Sequence, residues 1–381
     1  MGKRILVTST DLMMIQFLVP HVRNLAEHGY EVEIACSEVG GRMKEVREKL
    51  KSHTKAIHTV RLVRSPVSPT NLKGYRDMKR VINTGKYDII WTNEPVMGVV
   101  TRLAARKARK NGTKVLYMVH GFHFYKGAPA VNWMVYYPVE RWASRFCDEI
   151  VTINKEDYGR AKRFHARGVR YIHGIGIDMS RLHSAGTQCD IRKELGLGND
   201  SFLVLSVGEL LPRKNQQVII RALGKLKDGD IHYILCGKGN KKAELDALAA
   251  KNKVEKQVHF LGYRKDVADI YGQTDLLALP SRREGLGLAG LEGMYCGLPL
   301  VSSNVNGIRD YMENGKTGYM FDPDDAEGFA SGIRKLKNSP EKRKAYGEYN
   351  RKAALPFCIE NSKQEVLGLI SGLAGLTPKN G

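Results

Sequence analysis

Residues 276–292 read LLALPSRREGLGLAGLE, an apolar run of strand length followed by a glycine-rich turn and the start of a helical pattern. The same order occurs earlier, where FLVLSV at 202–207 leads into the loop GELLPRKN and a helical pattern begins near Gln217. Short apolar runs that alternate with amphipathic stretches indicate parallel strands covered by helices on both faces. The sequence therefore predicts an α/β fold.

The alternation restarts after Asp178, which predicts two doubly wound domains, in keeping with 381 residues at roughly 150 per domain. The boundary is expected within Arg170–Asp178, where two glycines suit a turning backbone. We expect one domain at 1–178, joined by a C-terminal helix of about 357–381, and the other at 179–356. The predicted strands lie near Arg4–Ser9, Glu31–Cys36, Asp88–Asn93, Lys114–His120, Glu149–Asn154, Phe202–Val207, His232–Cys236, Val258–Leu261, Leu276–Pro280 and Pro299–Ser303.

Composition indicates a globular protein, with 42% hydrophobic and 27% charged residues. The chain has no apolar run long enough to span a membrane and no signal-peptide pattern at its start, so we expect it in the cytoplasm. The six cysteines are scattered without metal-ligand spacing, which predicts reduced thiols.

The formal charge of +21 is unevenly distributed. Residues 1–178 hold 31 Lys and Arg against 16 Asp and Glu, a net +15. Such an imbalance points to an anionic partner, which could be a membrane surface, a phosphate-bearing substrate or a nucleic acid.

The loop that starts at Gly208 delivers Arg213 and Lys214 to the carboxyl end of a strand. Ligands bind at that end of an open α/β sheet, and two cations beside a helix start suit a pyrophosphate. A solvated Arg-Lys turn is the alternative for this pair taken alone.

The glycine-rich turn after the strand at 276–280 carries Glu284, then Gly285, Leu286 and Gly287, and the following helix carries Glu292. Backbone amides at the glycines could approach a phosphate or sugar closely. The two carboxylates could accept hydrogen bonds from hydroxyl groups of a ribose and a hexose.

The E-x7-E element from Glu284 to Glu292, the loop 208–214 and the segment VHGFHF at 119–124 resemble those of family-4 glycosyltransferases with the GT-B fold, over essentially the whole chain. This resemblance implies two Rossmann-like domains facing across a cleft. The stretch HGFHFYKGAP from His120, with Asn132-Trp133 and PVE at 138–140, is similar to EpsD-type bacterial transferases of capsule and biofilm exopolysaccharide assembly.

The resemblance implies a retaining transfer of a sugar from a nucleotide diphosphate donor, often a uridine one, held by the C-terminal domain without a metal ion. Arg213 and Lys214 would neutralise the diphosphate, and Gly208 belongs to their loop. Glu292 would hold the ribose, and Glu284 would contact the donor sugar. Gly262, Tyr263 and Arg264 would border the base. His120 would contact the donor sugar. The one Asp-x-Asp pattern, at Asp228 and Asp230, is expected in a solvated turn rather than a metal site.

The resemblance places the acceptor on the N-terminal domain, where we expect roles for Asn93, Glu94, Phe122 and Lys126. The first loop, at 8–14, lacks the glycines that such transferases commonly have. Because family acceptors are often lipid pyrophosphates, the basic segments Lys73–Arg80 and Arg102–Lys110 are expected to contact the anionic inner face of the membrane peripherally. Solvated helix faces are the alternative for these segments.

The expected function is transfer of a hexose, with N-acetylglucosamine as the first candidate, from a UDP-sugar to a lipid-linked saccharide in bacterial exopolysaccharide synthesis. A nucleic-acid-binding protein is one alternative, favoured only by charge. Another enzyme on the same fold, such as a nucleotide-sugar epimerase, is a second.

Overall fold

The computed structural model describes residues 2–38, 43–182 and 189–375, and it divides the chain into two compact units. The first unit comprises Met1–Gly176 and Ile359–Gly381, and the second comprises Ile177–Cys358. The chain thus leaves the first unit once and returns to it with its last helix.

Each unit is built on one parallel sheet covered by helices. The strands are β1 Arg4–Asp11, β2 Glu31–Ser37, β3 Ala56–Thr59, β4 Ile89–Asn93, β5 Lys114–Val119, β6 Glu149–Thr152, β7 Gly168–Tyr171, β8 Phe202–Val207, β9 Ile231–Cys236, β10 Val258–Gly262, β11 Leu276–Leu279, β12 Leu300–Ser303 and β13 Gly318–Phe321. The helices are α1 Leu12–Glu27, α2 Met43–Leu50, α3 Thr70–Gly85, α4 Pro95–Ala104, α5 Arg106–Lys110, α6 Ala130–Ala143, α7 Lys155–Ala161, α8 Ile191–Glu194, α9 Gln217–Leu226, α10 Lys242–Lys251, α11 Val267–Gln273, α12 Leu288–Tyr295, α13 Ala326–Lys337, α14 Pro340–Ala354 and α15 Ile359–Leu373.

The strand orders are β3-β2-β1-β4-β5-β6-β7 in the first sheet and β10-β9-β8-β11-β12-β13 in the second, with parallel pairing throughout. The predicted α/β class with two doubly wound sheets is confirmed. In each sheet the order reverses at one point, between β1 and β4 and between β8 and β11. Ligands of open α/β sheets bind outside the carboxyl ends of the strands at such a point.

The central strands are the most deeply buried part of each unit. Ile5, Leu6 and Val7 of β1 are fully buried, as are Leu203, Val204 and Leu205 of β8. Strands covered by helices on both faces need such continuous apolar runs, which is why their positions are readable from the sequence. Rigid central strands hold the loops at their carboxyl ends in place.

Three strands at the edges of the sheets differ from the predictions. β3, β7 and β13 were not predicted, because each has only four residues and a mixed, half-buried pattern that pairing alone turns into a strand. Arg170 and Tyr171, the first two residues of the predicted boundary segment Arg170–Asp178, pair with β6 as part of β7, and the division between the two units falls later in that segment, between Gly176 and Ile177.

Two further predictions concern membranes and cysteines. Among the described residues no helix is long and apolar enough to cross a membrane. All six cysteines are unpaired thiols, and burial raises the pKa of Cys36, Cys147 and Cys236 to about 12. These three thiols are therefore protonated and unreactive at neutral pH.

Candidate active site

The reversal of strand order in the second sheet brings two distant loops together. The loop after β8 carries Arg213 and Lys214, and the loop after β11 carries Glu284. The backbone amide of Arg282 donates to the carbonyl of Arg213 at 2.8 Å, which ties the two loops to each other. The predicted cations and the predicted carboxylate thus share one edge of the sheet.

Lys214 and Glu284 form a buried ion pair at this edge. Lys214 Nζ donates to Glu284 Oε1 at 2.6 Å, and Ser281 Oγ donates to the same oxygen at 2.7 Å. Burial alone would raise the pKa of Glu284, which is 8% exposed, but the charge and hydrogen bond of Lys214, helped by Ser281 and Arg213, hold that pKa below its ordinary value. The carboxylate is therefore ionised at neutral pH.

Arg213 lies in a more open position. Its guanidinium donates to Glu209 Oε2 at 2.6 Å, and both side chains of this pair are about half exposed, at 46% and 60%. Exposed pairs of this kind contribute about 0.2–1 kcal/mol, so a doubly charged ligand can displace the carboxylate at small cost. Arg213 is placed to exchange Glu209 for an anion.

Gly208, at the start of the β8 loop, has a backbone conformation that requires glycine. Its φ of +147° lies outside the range of ordinary side-chain-bearing residues. A Cβ at this position would stand 3.4 Å from Lys214 Cε and 3.5 Å from Nζ. These are ordinary van der Waals distances, so glycine is needed here for its backbone conformation rather than for space beside the lysine.

Glu292, on α12, lies beside the turn that precedes the helix. Tyr271 Oη donates to Glu292 Oε2 at 3.1 Å. Burial raises the pKa of Glu292, although the hydrogen bond from Tyr271 and the charge of Arg181 oppose the shift. No described residue donates a hydrogen bond to its second oxygen, Oε1, which can therefore accept from a hydroxyl group.

The glycine-rich turn Gly285–Gly287 presents backbone rather than side chains. Gly287 has a left-handed φ of +84° and directly precedes Leu288, the first residue of α12. Leu286 points into the core and is 4% exposed. The first turn of a helix carries amide groups without intrahelical partners, so this turn can donate to an anion or a sugar.

In the segment Gly262–Arg264, the Arg264 side chain is held by ion pairs and the Tyr263 side chain is half exposed. Arg264 is bound by Asp266 at 2.6 Å and by Glu194 at 2.6 Å, and these hydrogen bonds raise its pKa. Tyr263 keeps a half-exposed ring. In this segment the tyrosine can stack on a ligand, whereas the arginine holds the loop in place.

In the first unit, His120 directly follows β5 and bonds to Asn93, the last residue of β4. Asn93 Nδ2 donates to the carbonyl of Thr8 at 3.1 Å, which leaves its Oδ1 to accept from His120 Nε2 at 2.9 Å. This arrangement assigns the proton to Nε2 and leaves Nδ1 as an acceptor. Burial, with a contribution from His21, lowers the pKa of His120 to about 4, so the ring is neutral at pH 7.

Glu94 follows β4 in a strained backbone conformation, with φ +64° and ψ 157°. Its Oε2 accepts from Ser9 Oγ at 2.6 Å and from the amide of Thr10 at 2.8 Å. Burial raises the pKa of this carboxyl group. Non-glycine residues rarely adopt such a conformation, and strain of this kind is concentrated at functional sites.

Glu94 lines a cavity of about 140 Å³ at the reversal point of the first sheet. Arg64, at its rim, is 63% exposed and pairs with Asp11 at 2.6 Å. The residues that line the cavity are Thr10, Arg64, Pro66, Glu94, Pro95, Val96, His123 and Tyr136. A carboxylate, a guanidinium and aromatic rings around one small cavity are the groups that bind a charged saccharide.

Two of the residues expected to bind the acceptor lie elsewhere. Phe122 is 3% exposed and stacks on Phe124 at 4.6 Å between ring centres, so its side chain belongs to the core. Lys126 is exposed, and its backbone amide donates to Glu156 at 3.0 Å. Neither side chain lines the cavity around Glu94.

The structure also adds site residues that the sequence did not reveal. Ser281, Tyr271 and Arg64 each contact a predicted position or border the same cavity. Tyr271 is 21 residues from Glu292 and Arg64 is 53 residues from Asp11, so no local pattern marks either one. The tertiary structure therefore decides which positions Tyr271 and Arg64 contact, whereas Ser281 lies only three residues before Glu284.

Two family profiles together match most of the chain. The profile described as Glycosyltransferase Family 4 matches residues 18–181, and the one described as Glycosyl transferases group 1 matches residues 188–353. The chain is 36% identical to the Bacillus subtilis (strain 168) protein named "Putative glycosyltransferase EpsD", over 100% of this chain and 99% of that protein. The chain belongs to the family-4 glycosyltransferases.

Other proteins support the same assignment for this transferase. It is 25% identical to the Escherichia coli UDP-Gal:alpha-D-GlcNAc-diphosphoundecaprenol alpha-1,3-galactosyltransferase, over 81% of this chain and 80% of the relative. Its fold matches Anabaena HepE, solved in complex with UDP and glucose, with a TM-score of 0.80 at 21% identity, over 97% of this chain and 100% of HepE. The transferase thus has the GT-B fold, and neither the nucleic-acid-binding nor the epimerase alternative finds support.

The pattern Asp228-Gly-Asp230 lies in the turn before β9, as expected. Lys337 Nζ donates to Asp228 Oδ2 at 2.6 Å, and the pKa of Asp228 lies below its ordinary value because this hydrogen bond and the lysine charge outweigh the effect of burial. No group of three His, Cys, Asp or Glu side chains suited to a metal ion occurs in the described parts of the transferase.

Proposed function

We propose that the transferase moves a hexose from a UDP-sugar to a lipid-linked saccharide, with retention of the anomeric configuration. The observation that carries this proposal is the pairing of Lys214 with Glu284, next to Arg213, at the reversal point of the second sheet. A donor diphosphate needs two positioned cations, and a hexose needs a fixed hydroxyl acceptor. The two cations and the carboxylate at one edge of the second unit support this assignment.

The diphosphate would bind to the two cations of the β8 loop. Cleavage of the bond between the anomeric carbon and the diphosphate oxygen leaves negative charge on the diphosphate. Lys214 and Arg213 would stabilise that charge, and a preorganised cation in a water-poor site is typically worth a factor of about 10²–10³ in rate. Because these side chains supply the positive charge, we propose that transfer does not require a metal ion.

The two glutamates would position the donor through its hydroxyl groups. Glu284 is ionised and 2.6 Å from Lys214, so a sugar hydroxyl that donates to it would lie beside the diphosphate site. Glu292 would accept from the ribose through the oxygen that Tyr271 leaves open. Tyr263 would stack on the base, and Arg264 would hold that loop rather than touch the nucleotide.

His120 is proposed as a neutral partner of a donor-sugar hydroxyl. Its Nε2 is occupied by Asn93, so Nδ1 is the atom that would accept a hydrogen bond. With a pKa of about 4 the ring stays neutral over the physiological range, which suits an acceptor better than an imidazolium would.

The acceptor would bind in the cavity around Glu94. Arg64 is suited to a diphosphate, because a guanidinium binds phosphate oxygens in pairs, and Glu94 is suited to a saccharide hydroxyl. The similarity to the E. coli enzyme, whose name specifies a diphosphoundecaprenol acceptor, supports a lipid-linked diphosphate. Asn93 would act here indirectly, by orienting His120.

We propose a role in bacterial exopolysaccharide synthesis, including capsule and biofilm matrix, at the inner face of the membrane; the support for it is the resemblance of the stretch that starts at His120 to EpsD-type transferases. UDP as the nucleotide is supported by HepE, which was solved with UDP and glucose. N-acetylglucosamine is the first sugar to test.

A panel of nucleotide sugars, scored by the rise in melting temperature, tests the donor. A specific ligand at 100 times its Kd stabilises the protein by about 2.7 kcal/mol, so UDP-linked sugars should stand out from GDP- and dTDP-linked ones. Lys214→Ala should abolish the rise. Lys225→Ala, which removes an exposed lysine paired with Glu327 in the same unit, should keep it. Equal stabilisation of wild type and Lys214→Ala would contradict the proposed donor site.

A further inference from the structure

Helix α6 presents an apolar face to solvent, although the outer face of such a helix is normally polar. Val131 is 59% exposed and Met134 is 75% exposed. The exposed apolar side chains of this face, hereafter the α6 stripe, are Val131, Met134, Val135, Val139 and Trp142. Their spacing of 3, 4, 8 and 11 residues from the first places them along one side of the helix.

The opposite side of α6 is fixed to the unit, so the stripe cannot turn inward. Glu140 accepts from Arg102 at 2.7 Å and from Tyr117 at 3.0 Å, and all three are buried. Trp133 packs against Phe124, with 5.7 Å between ring centres. The helix is therefore held firmly with its apolar stripe outward.

Basic residues border the stripe. Residues 100–147 contain nine Lys and Arg but one acid, the buried Glu140. At the C-terminal end of α6 the Arg106 guanidinium lies 4.8 Å from the ring centre of Phe146, which itself contacts Trp142 at 5.3 Å. The exposed cations of the segments 106–110 and 141–145 are Arg106, Lys107, Lys110, Arg141 and Arg145.

The same helix lines the proposed acceptor cavity. Tyr136 of α6 borders that cavity together with Arg64 and Pro66. Val67, which follows Pro66, is 88% exposed. Helix α6 thus contributes both the exposed stripe and one lining residue of the cavity in which a lipid-linked diphosphate would bind.

We propose that the α6 stripe inserts into the headgroup region of an anionic bilayer, with the surrounding cations bound to lipid phosphates. Apolar side chains flanked by Lys and Arg, with a tryptophan at one end, form the pattern of an interfacial helix. A second copy of the chain is disfavoured as the occupant, because two-fold pairing through this face would bring the basic border against itself. The inference rests on the proposed lipid-linked acceptor, because Tyr136 of the same helix lines the cavity proposed for its diphosphate.

The basic segment Arg102–Lys110 contributes to this surface only in part. Arg102 was expected on a solvated or lipid-facing helix, and that expectation is wrong, because the side chain is fully buried against Glu140. The cations available to lipid begin at Arg106.

Sedimentation of the full chain with vesicles of phosphatidylcholine, with or without phosphatidylglycerol, tests the proposal. Wild type should bind anionic vesicles. The variant Met134→Glu/Val139→Glu should bind them about 10-fold or more weakly, because insertion of charges opposes burial of the face. Arg141→Gln/Arg145→Gln should lose most of its preference for phosphatidylglycerol. Leu355→Gln, which alters an exposed leucine of the second unit, is the matched control and should bind as wild type does.

Several outcomes would overturn the proposal. These are wild-type binding that does not exceed background, unchanged binding by Met134→Glu/Val139→Glu, or a wild-type dimer in ultracentrifugation that this variant dissociates. Stabilisation by UDP is measured in parallel on every variant. A stripe variant that binds UDP normally but does not bind vesicles supports the inference. Failure of UDP to bind wild type refutes the donor assignment, but it does not change what the vesicle measurements show about the α6 stripe.

Discussion

Removal of the Lys214 ammonium group should affect turnover and stability by separable routes. Lys214→Ala takes away one of two cations proposed for the leaving diphosphate, so kcat should fall by about 10² or more. It also leaves Glu284, 8% exposed, without its cation. Breaking a buried pair in this way costs about 3–5 kcal/mol, and the hydrogen bond from Ser281 favours the lower end of that range.

The stability loss should depend on pH. In wild type the pKa of Glu284 lies below its ordinary value, so the ionised carboxylate stabilises the folded state. This stabilisation is fully present above the pKa of the unfolded state and is lost as pH falls through the pKa of the folded state. In Lys214→Ala burial dominates and raises that pKa, so the carboxyl group takes up a proton on folding and the penalty shrinks as pH falls. The difference in unfolding free energy between variant and wild type should therefore be largest near neutral pH.

The double variant Lys214→Ala/Glu284→Gln separates the two effects. Removal of the uncompensated charge should restore most of the stability but none of the turnover, as measured by denaturant unfolding and by UDP release. Lys225→Ala is the control, with a change in unfolding free energy of less than about 1 kcal/mol because its pair is exposed. Lys214→Ala turnover within a few-fold of wild type would refute the diphosphate assignment, and an unchanged unfolding free energy would refute the buried ion pair.

Four further predictions concern the rest of the site and the fold. Glu292→Gln should weaken UDP binding about 10-fold in calorimetry with little change in kcat, since a hydrogen bond to a charged acceptor is worth about 1.5–3 kcal/mol; unchanged affinity would exclude the ribose role. The folded pKa of His120, about 4, lies below its ordinary 6.5, so the unfolded state binds protons first and stability falls as pH drops from 6.5 towards 4. His120→Gln should flatten that fall in pH-dependent unfolding, and an identical slope would contradict the burial of a neutral ring. EDTA should leave turnover unchanged, whereas loss that Mg²⁺ restores would contradict charge neutralisation by side chains alone. Arg102→Met should lower the unfolding free energy by about 3–5 kcal/mol, because it leaves the buried Glu140 carboxylate without its cation. Arg102→Met/Glu140→Gln should recover part of this loss.

Much of the fold could be predicted because the central strands have a purely local signal. β8 was predicted at its observed limits, since a strand buried on both faces must be continuously apolar. β3, β7 and β13 lack that signal, because a four-residue strand at or near a sheet edge is defined by its neighbour. α1 begins at Leu12, where the side chain of Asp11 caps the helix by accepting from the Met14 amide at 3.2 Å.

The sequence by itself determined the fold class, the two sheets and the strand ends at which cations and carboxylates occur. It could do so because hydrophobic periodicity and glycine-rich turns act over a few residues. Only the tertiary structure decided which of these groups meet. Lys214 and Glu284 are 70 residues apart, Arg102 and Glu140 are 38 apart, and Arg64 and Asp11 are 53 apart. Such partners are chosen by strand order and helix packing, so the same residue type becomes a buried ion pair at position 102 and an exposed cation at 106.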